Sequence, residues 1–197
     1  MTVFEFDVVY LARHGQTQWN LEGRRQGRLD SPLTTQGLLQ VRRNAELIGG
    51  ERVDAIFASP LGRARTSADV FAGALGLSVT VVDDLSEVDH GEWSGLTAAE
   101  IEAAWPGEAG VREHDKYFYR FPGGESYADA DARARRALVS IARTGTRRPL
   151  LVAHEMVGRM LLRHLGGLGR EDALSSSQPS EVVYRVAASR QIDRLGL

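Results

Sequence analysis

The sequence lacks cysteine, contains a single lysine and has no long apolar run, and each shortage excludes a class of protein. Without cysteine, the chain of 197 residues can form no disulfide and no thiolate metal site, and it has no thiol nucleophile. No stretch approaches the ~20 apolar residues that a membrane helix needs. Residues 1–15 show no basic segment ahead of an apolar core, so we expect no signal peptide and a cytoplasmic protein.

An excess of charge of either sign is also lacking. The sequence has 24 basic and 26 acidic side chains, for a formal net charge of -2. Nucleic acids and membrane surfaces attract proteins with a large basic excess, so we expect neither as a partner. Lys116 is the only lysine, and all other basic side chains are arginine. A coding bias towards arginine explains this usage and draws attention to the one lysine that was kept.

Apolar runs alternate with helical periodicities along the chain, which is typical of an α/β protein. The hydrophobic share of 43% suits one globular domain over residues 1–197. We therefore expect a three-layer αβα domain with a mostly parallel central sheet. Strands are predicted at 7–12, 53–58, 78–82, 150–153 and 181–187, the last as the final strand and a candidate edge. Helices are predicted at about 34–48, 97–104, 126–143 and 155–165, with another capped by Ser59-Pro60 and a short one around Arg112.

Two stretches stand apart from this alternation. Residues 83–122 are irregular and too long for a simple connection, so we interpret the segment 83–127 as a cap insertion that sets substrate choice. The arginine-rich stretch 133–148 is interleaved with the nearby acidic residues Asp129 and Asp131, and we interpret it as solvated surface.

Three predicted strands lead into residues that can bind or attack phosphate. Arg13 and His14 follow the first, Arg63 lies in the helix after the second, and His154 follows the fourth. The carboxyl ends of parallel strands share one edge of the sheet, where ligands bind. Arginine forks match phosphate oxygens, and a neutral imidazole can attack phosphorus to form a phosphohistidine.

The leaving oxygen in such a reaction needs a proton donor. Glu87 and Asp89 are candidates, since both lie just beyond the third predicted strand. Because protein arginines already balance the phosphate charge, we expect no metal and no other cofactor. The histidines also lack the spacing of a zinc site.

Four motifs occur in order along the chain: Arg13-His14-Gly15, Ser59-Pro60-Leu61 with Arg63-Ala64, Glu87 ahead of Gly91 and Trp93, and Val152-Ala153-His154. Together they resemble the histidine phosphatase superfamily, which includes cofactor-dependent phosphoglycerate mutase. The resemblance covers residues 8 to about 165 and implies a phosphoglycerate mutase-like fold. It also implies a phosphatase that acts on a small phosphorylated substrate.

The resemblance assigns catalytic roles to five residues. His14 corresponds to the phosphorylated nucleophile. Arg13, Arg63 and His154 correspond to the rest of the phosphate pocket. Glu87 corresponds to the acid that protonates the leaving group and later activates water.

Further positions are implied to contact the substrate. Asn20 and the backbone of Gln26-Gly27 close over the reacting phosphate. The run from Arg112 to Tyr127 resembles the bisphosphatase domain of the bifunctional fructose-2,6-bisphosphate enzyme. In that domain four residues hold a second phosphate, and they are matched here by Arg112, Lys116, Tyr127 and Arg159.

The spacing of two of these residues supports the interpretation. Arg112 and Lys116 are four residues apart and are predicted to share one face of a helix. An ammonium group cannot be replaced by a guanidinium without moving its charge, so we expect that Lys116 was kept for its shape.

Two departures from that domain concern specificity. Ala98 stands where the bisphosphatase has tyrosine, and Glu155 stands where it has glutamine. The Glu155 carboxylate could bond a substrate hydroxyl, or it could neutralise Arg159 four residues later. Either arrangement would weaken recognition of a second phosphate, so a sugar phosphate or another small phosphomonoester is expected instead of fructose-2,6-bisphosphate.

Other functions remain open at this point. A phosphoglycerate-type mutase shares the first half-reaction, but known mutases carry a larger insertion and a C-terminal tail, so the short stretch after the last predicted strand favours hydrolysis. A non-catalytic module that binds a phosphorylated ligand would usually have lost the nucleophile or a pocket arginine, and all of these are present. A homodimer is compatible with the sequence, which does not decide the oligomeric state.

Overall fold

Residues 4–196, which the computed structural model describes, form one mixed sheet of six strands together with eight helices. The strands are β1 (Val8–Arg13), β2 (Ala55–Ala58), β3 (Val79–Val81), β4 (Pro149–Ala153), β5 (Val183–Ala187) and β6 (Ile192–Leu195). The helices are α1 (Gln18–Leu21), α2 (Thr35–Ile48), α3 (Gly62–Leu75), α4 (Ala98–Ala104), α5 (Glu108–His114), α6 (Tyr127–Ala142), α7 (Glu155–Gly166) and α8 (Arg170–Ser175).

The sheet has the strand order β3-β2-β4-β1-β5-β6. Its first four strands are parallel, whereas β5 runs antiparallel to β1, and β6 runs antiparallel to β5. The prediction of a mostly parallel sheet is thus confirmed. The prediction of 181–187 as a final edge strand is wrong, because β6 follows it and pairs with its outer side. The sequence of β6, IDRL, is too short and too polar to show a strand pattern.

Helices cover both faces of the sheet, as the alternating strand residues require. Along β1, Val9 and Leu11 belong to a buried cluster with α6 and α7, whereas Tyr10 and Ala12 point to a second cluster with α2 and α3. Each layer buries the apolar side of its helices against one face of the sheet. The three-layer αβα architecture expected from the sequence is therefore confirmed.

Two helix starts match the sequence and one does not. Thr34 and Ser126 cap α2 and α6, and Ser126 forms a capping box with Asp129. The predicted cap at Ser59-Pro60 is wrong, because α3 begins only at Gly62. The Ser59 hydroxyl instead lies 2.7 Å from a ring nitrogen of His154 and also accepts the N–H of Leu61 at 3.3 Å.

The prediction of a solvated surface for 133–148 is wrong at its start. Arg133 is only 6% exposed, and the neighbouring Asp131 is 7% exposed. Arg136, one turn further along α6, is exposed and pairs with Asp84 at 3.0 Å. The difference arises because one side of α6 packs against the 3-10 turn at Asp83–Leu85, whereas the other side faces water.

The segment 83–127 contains α4, α5 and two short 3-10 turns. Trp93, Ile101 and Phe121 from this segment are buried in the same cluster as α6 and α7. Helix α5 ends at His114, so the prediction that Arg112 and Lys116 share a helix face is wrong. Within residues 4–196, no helix is both long and apolar enough to cross a membrane.

A close backbone approach joins the loop after β1 to the first turn of α2. A Cβ atom on Gly15 would collide with the carbonyl of Gly37, and one on Gly37 would collide with the carbonyl of Gln16. The two glycines therefore allow a contact that no larger residue could make. This contact sets the position of the loop that carries His14.

We expect Gly37→Ala to displace this loop and to lower the free energy of unfolding by ~1–3 kcal/mol, as other overpacked sites do. Urea denaturation followed by circular dichroism measures the change. Gly73→Ala on α3 is the matched control, because its Cβ would meet no atom within 4 Å. A helical glycine replaced there by alanine should gain up to ~1 kcal/mol. Equal effects of the two substitutions would contradict the contact.

Candidate active site

Two buried histidines face each other beyond the ends of neighbouring strands. Arg13 at the end of β1 is in register with Ala153 at the end of β4, so His14 and His154 emerge side by side. Their ring centroids are 5.2 Å apart, and the residues are 2% and 1% exposed. The parallel pairing of β1 and β4 thus creates the centre of the site.

The hydrogen bonds of His14 define the tautomer of its ring. Nδ1 lies 2.8 Å from the carbonyl oxygen of Gly15, and Nε2 lies 3.2 Å from Nε of Arg63. A carbonyl can only accept a hydrogen bond, and a guanidinium can only donate one. Nδ1 therefore carries the ring proton, and the lone pair of Nε2 accepts the Nε–H of Arg63 at the wall of the cleft.

Both rings are held in the neutral form. Burial, followed by the charges of Arg13 and Arg63, lowers the pKa of His14 well below its usual value of 6.5. Burial and the charge of Arg63 lower the pKa of His154 in the same way. A neutral imidazole is the form that can attack phosphorus, so the site keeps His14 ready at neutral pH.

Arg63 is fixed by acceptor groups of the loop 27–30, which contacts the start of α3. Its Nη1 donates to the carbonyl of Leu29 at 2.6 Å and to Oδ1 of Asp30 at 2.8 Å. Its Nη2 donates to the carbonyl of Gly27 at 2.8 Å. The side chain is only 1% exposed. The guanidinium is therefore preorganised beside His14 before any anion binds.

Arg13 approaches the cleft from the other side. Its Nη1 donates to the carbonyl of Gln178 at 3.1 Å and pairs with Glu155 at 2.9 Å. The side chain is 19% exposed, so part of it remains accessible from the cleft.

Glu87 is attached to the first turn of α7. Its Oε2 accepts the N–H of Met156 at 3.1 Å, and its Oε1 accepts the N–H groups of Val157 at 3.0 Å and Val88 at 2.9 Å. The N-terminal N–H groups of a helix have no partner within the helix, so a carboxylate binds well there. The arrangement directs the Glu87 carboxyl group into the cleft.

The cleft has a volume of about 200 Å³ and is lined by most of the residues predicted from the sequence. They are Arg13, His14, Asn20, Gln26, Gly27, Arg63, Glu87, Arg112, Lys116, Glu155 and Arg159. His154 and Tyr127 do not line it. His154 lies behind the wall of the cleft, and Tyr127 is buried and bonded to Arg159 through its hydroxyl, at 2.6 Å.

Four lining residues were not foreseen from the sequence: Arg24, Arg25, His90 and Met156. The first two precede Gln26-Gly27 directly, so the basic, glycine-containing stretch around them was a usable signal. His90 lies three residues after Glu87 in a loop without periodicity. Met156 is an apolar helix residue, and no sequence signal distinguishes it.

Cationic side chains dominate the cleft, and its lining includes only the carboxylates of Glu87 and Glu155. Glu155 pairs with Arg13 at 2.9 Å and with Arg159 at 2.8 Å, so one carboxylate joins the inner and outer parts of the cleft. Arg159 also donates to the carbonyl of Ser176 at 2.8 Å. Such an excess of positive charge suits an anionic ligand.

Residues 9–191 match the model of the histidine phosphatase superfamily, branch 1. The chain belongs to the histidine phosphatase superfamily. It is 37% identical over 164 residues to a Salmonella choleraesuis protein named "Probable phosphoglycerate mutase GpmB". The aligned residues cover 81% of this chain and 75% of the relative.

Several solved structures share this fold over almost the whole chain. A mycobacterial glucosyl-3-phosphoglycerate phosphatase superimposes with a TM-score of 0.83 at 29% identity, covering 95% of this chain and 96% of the other. A protein described as mycobacterial hydrolase 1 superimposes with a TM-score of 0.86 at 27% identity, covering 97% and 99%. The family and these phosphatase neighbours support a phosphatase enzyme, which argues against the alternative of a non-catalytic module.

We expect the His14 ring to stay neutral when the pH falls from 8 through 6.5, since burial and two arginines lower its pKa. The unfolded chain takes up protons near pH 6.5 that His14 and His154 cannot take up. The free energy of unfolding should therefore fall below that pH, by up to ~1.4 kcal/mol per pH unit for each such histidine. NMR titration of the imidazole signals and urea denaturation at several pH values measure both effects. A His14 ring that titrates at its ordinary pKa would contradict the desolvated site.

Proposed function

We propose that this histidine phosphatase is a metal-independent phosphomonoesterase that hydrolyses a small phosphorylated metabolite through a phosphohistidine at Nε2 of His14. The observation that carries the proposal is the buried, neutral His14 in the wall of the cleft, whose Nε2 lone pair accepts a hydrogen bond from the fixed guanidinium of Arg63 until it attacks phosphorus. A nucleophile next to permanent positive charge is what transfer of a dianionic phosphoryl group needs.

In the first step, Nε2 of His14 attacks phosphorus as the bond between phosphorus and the ester oxygen breaks. Arg13 and Arg63, which line the cleft, stabilise the charge on the equatorial oxygens, and His154 supports the His14 ring from behind, at 5.2 Å between ring centroids. Asn20 lines the same cleft, and its Oδ1 accepts the N–H of Thr17 at 3.0 Å, which orients the side chain. Asn20 and the backbone of Gln26-Gly27 close over the phosphoryl group in this proposal.

Glu87 supplies the proton that the leaving alkoxide needs, and the alcohol product departs. In the second step, a water molecule attacks the phosphohistidine, and Glu87 takes its proton. The bond between phosphorus and Nε2 breaks, His14 returns to its neutral form, and inorganic phosphate is released. In support, structures of the mycobacterial glucosyl-3-phosphoglycerate phosphatase are complexes with VO3 and with inorganic phosphate.

Specificity is assigned to the insertion 83–127 of a single domain that spans residues 1–197. Arg112 and Lys116 from this insertion, with Tyr127 acting through Arg159, form the outer part of the cleft in the proposal. Glu155 places a negative charge there, which disfavours a second phosphate. The proposed substrate class is a sugar phosphate or a similar phosphomonoester whose remaining part carries hydroxyl groups.

A phosphoglycerate-type mutase is the second candidate, because the Salmonella relative carries that name. A mutase returns the phosphoryl group to a sugar acid and does not transfer it to water. Incubation with 3-phosphoglycerate, followed by phosphorus NMR, separates the two activities. Inorganic phosphate as the product supports hydrolysis, whereas 2-phosphoglycerate as the main product supports the mutase.

We expect rapid quenching with a ³²P-labelled phosphomonoester to trap a base-stable, acid-labile label on His14. His14→Asn should abolish the label and lower kcat by at least ~10³-fold, as the loss of a nucleophile does in other covalent enzymes. A panel of sugar phosphates, phosphoglycerates and aryl phosphates, scored by phosphate release, supplies the substrate. His114→Asn is the control, since His114 is exposed and does not line the cleft. A label on any other residue would contradict the proposal.

We expect Glu155→Gln to shift selectivity towards substrates with a second phosphate. Removal of the carboxylate removes a repulsion that costs roughly 1 kcal/mol at 4 Å even in bulk water, so the ratio of kcat/KM for fructose-1,6-bisphosphate to that for fructose-6-phosphate should rise about fivefold or more. Glu46→Gln, an exposed substitution on α2, controls for the change in net charge. An unchanged ratio in Glu155→Gln would show that this carboxylate does not select substrates.

A further inference from the structure

A buried arginine outside the cleft uses all five N–H groups of its guanidinium. Nη1 of Arg133 donates to the carbonyls of Asp84 at 2.9 Å and Ser86 at 2.6 Å. Nη2 donates to the carbonyl of Glu87 at 3.3 Å and to Oε2 of Glu125 at 2.9 Å. Nε donates to Oε1 of Glu125 at 3.2 Å. One side chain of α6 thus holds the loop that carries Glu87.

The loop depends on this side chain because it has little regular structure. Among residues 4–196, the carbonyls of Asp84, Ser86 and Glu87 accept no backbone N–H group and have Arg133 as their hydrogen-bond donor. A buried carbonyl without a partner costs roughly 1–3 kcal/mol. Arg133 therefore replaces the hydrogen bonds that a strand or a helix would have supplied.

Glu125, the partner of Arg133, also bonds the loop itself, at Asp89. Its Oε2 accepts the N–H of Asp89 at 3.0 Å, and its own N–H donates to the carbonyl of Asp89 at 2.8 Å. Burial raises the pKa of Glu125, but the bonds from Arg133 and from the Asp89 N–H outweigh it and lower the pKa below its ordinary value. The carboxylate is charged at neutral pH, so Arg133 has a half-buried counterion.

Glu87 is held at both ends by two different helices. Its carboxyl group accepts the N–H groups of Met156 and Val157 on α7, and its carbonyl accepts from Arg133 on α6. We infer that Arg133, braced by Glu125, is a positioning residue that sets the distance of the Glu87 carboxyl group from the leaving oxygen. This inference rests on the proposed function, in which Glu87 is the proton donor.

The inference differs in its consequences from a purely structural role. A misplaced Glu87 impairs proton donation, which matters only when the leaving group is strongly basic. Phenolate from phenyl phosphate needs that proton, whereas 2,4-dinitrophenolate from 2,4-dinitrophenyl phosphate leaves without one. Both substrates are phenyl esters of phosphate and differ only in the two nitro groups. For each of them, kcat/KM reports the steps up to phosphorylation of the enzyme.

We expect Arg133→Lys and Glu125→Gln to lower kcat/KM for phenyl phosphate by about 10- to 100-fold and for 2,4-dinitrophenyl phosphate by less than about threefold, since a misplacement of ~1 Å costs ~10²-fold. The ratio of the two values is measured on the same sample, so it does not depend on the folded fraction. Arg136→Lys is the matched control, because Arg136 lies on the same helix, is itself exposed and bonds only the partly exposed side chain of Asp84. The ratio should be unchanged in this variant.

Glu87→Gln distinguishes failure of the inference from failure of the proposed function. If Glu87→Gln discriminates between the two substrates and Arg133→Lys lowers both rates equally, Glu87 is the acid and Arg133 has only a structural role. If Glu87→Gln itself does not discriminate, the role of Glu87 in the proposed function is wrong and the inference fails with it. Discrimination in both variants, without additivity in the double variant, supports the positioning role.

Discussion

The contact between Nε2 of His14 and the guanidinium of Arg63 is the interaction on which the rest of the site depends. It brings a permanent charge into a region from which water is excluded, and such burial is costly unless every donor finds an acceptor. The loop carbonyls of Gly27 and Leu29 and the carboxylate of Asp30 accept three of the four remaining N–H groups of this guanidinium. The same charge, together with burial, keeps the imidazole neutral. The hydrogen bond between Arg63 and His14 therefore both fixes the position of the nucleophile and helps to keep it neutral.

The parallel part of the sheet explains why these groups meet. Because β2, β4 and β1 lie side by side with their carboxyl ends at one edge, residues far apart in sequence reach one cleft. Helix α7 begins at the same edge, and N–H groups of its first turn donate hydrogen bonds to the Glu87 carboxylate. The antiparallel pair β5 and β6 extends the sheet beyond β1 and lies outside this arrangement.

The predictable parts of the structure are those with local patterns. Buried strands, helices with caps at Thr34 and Ser126, and polar residues at strand ends are visible in the sequence because they depend on near neighbours. The errors concern residues whose partners are distant. The Ser59 hydroxyl lies within hydrogen-bond distance of His154 and does not cap α3, and β6 is a strand only because β5 offers it an edge.

Sequence alone determined the set of reactive groups, their order along the chain and the strands that deliver them, since residue type and periodicity are local properties. Only the tertiary structure decided which charges meet. It buried Arg133 against the Glu87 loop, and it let the Glu155 carboxylate bridge Arg13 and Arg159. The physical reason is that long charged side chains can turn to water or to the interior, and the choice depends on the acceptors that the folded chain places within reach.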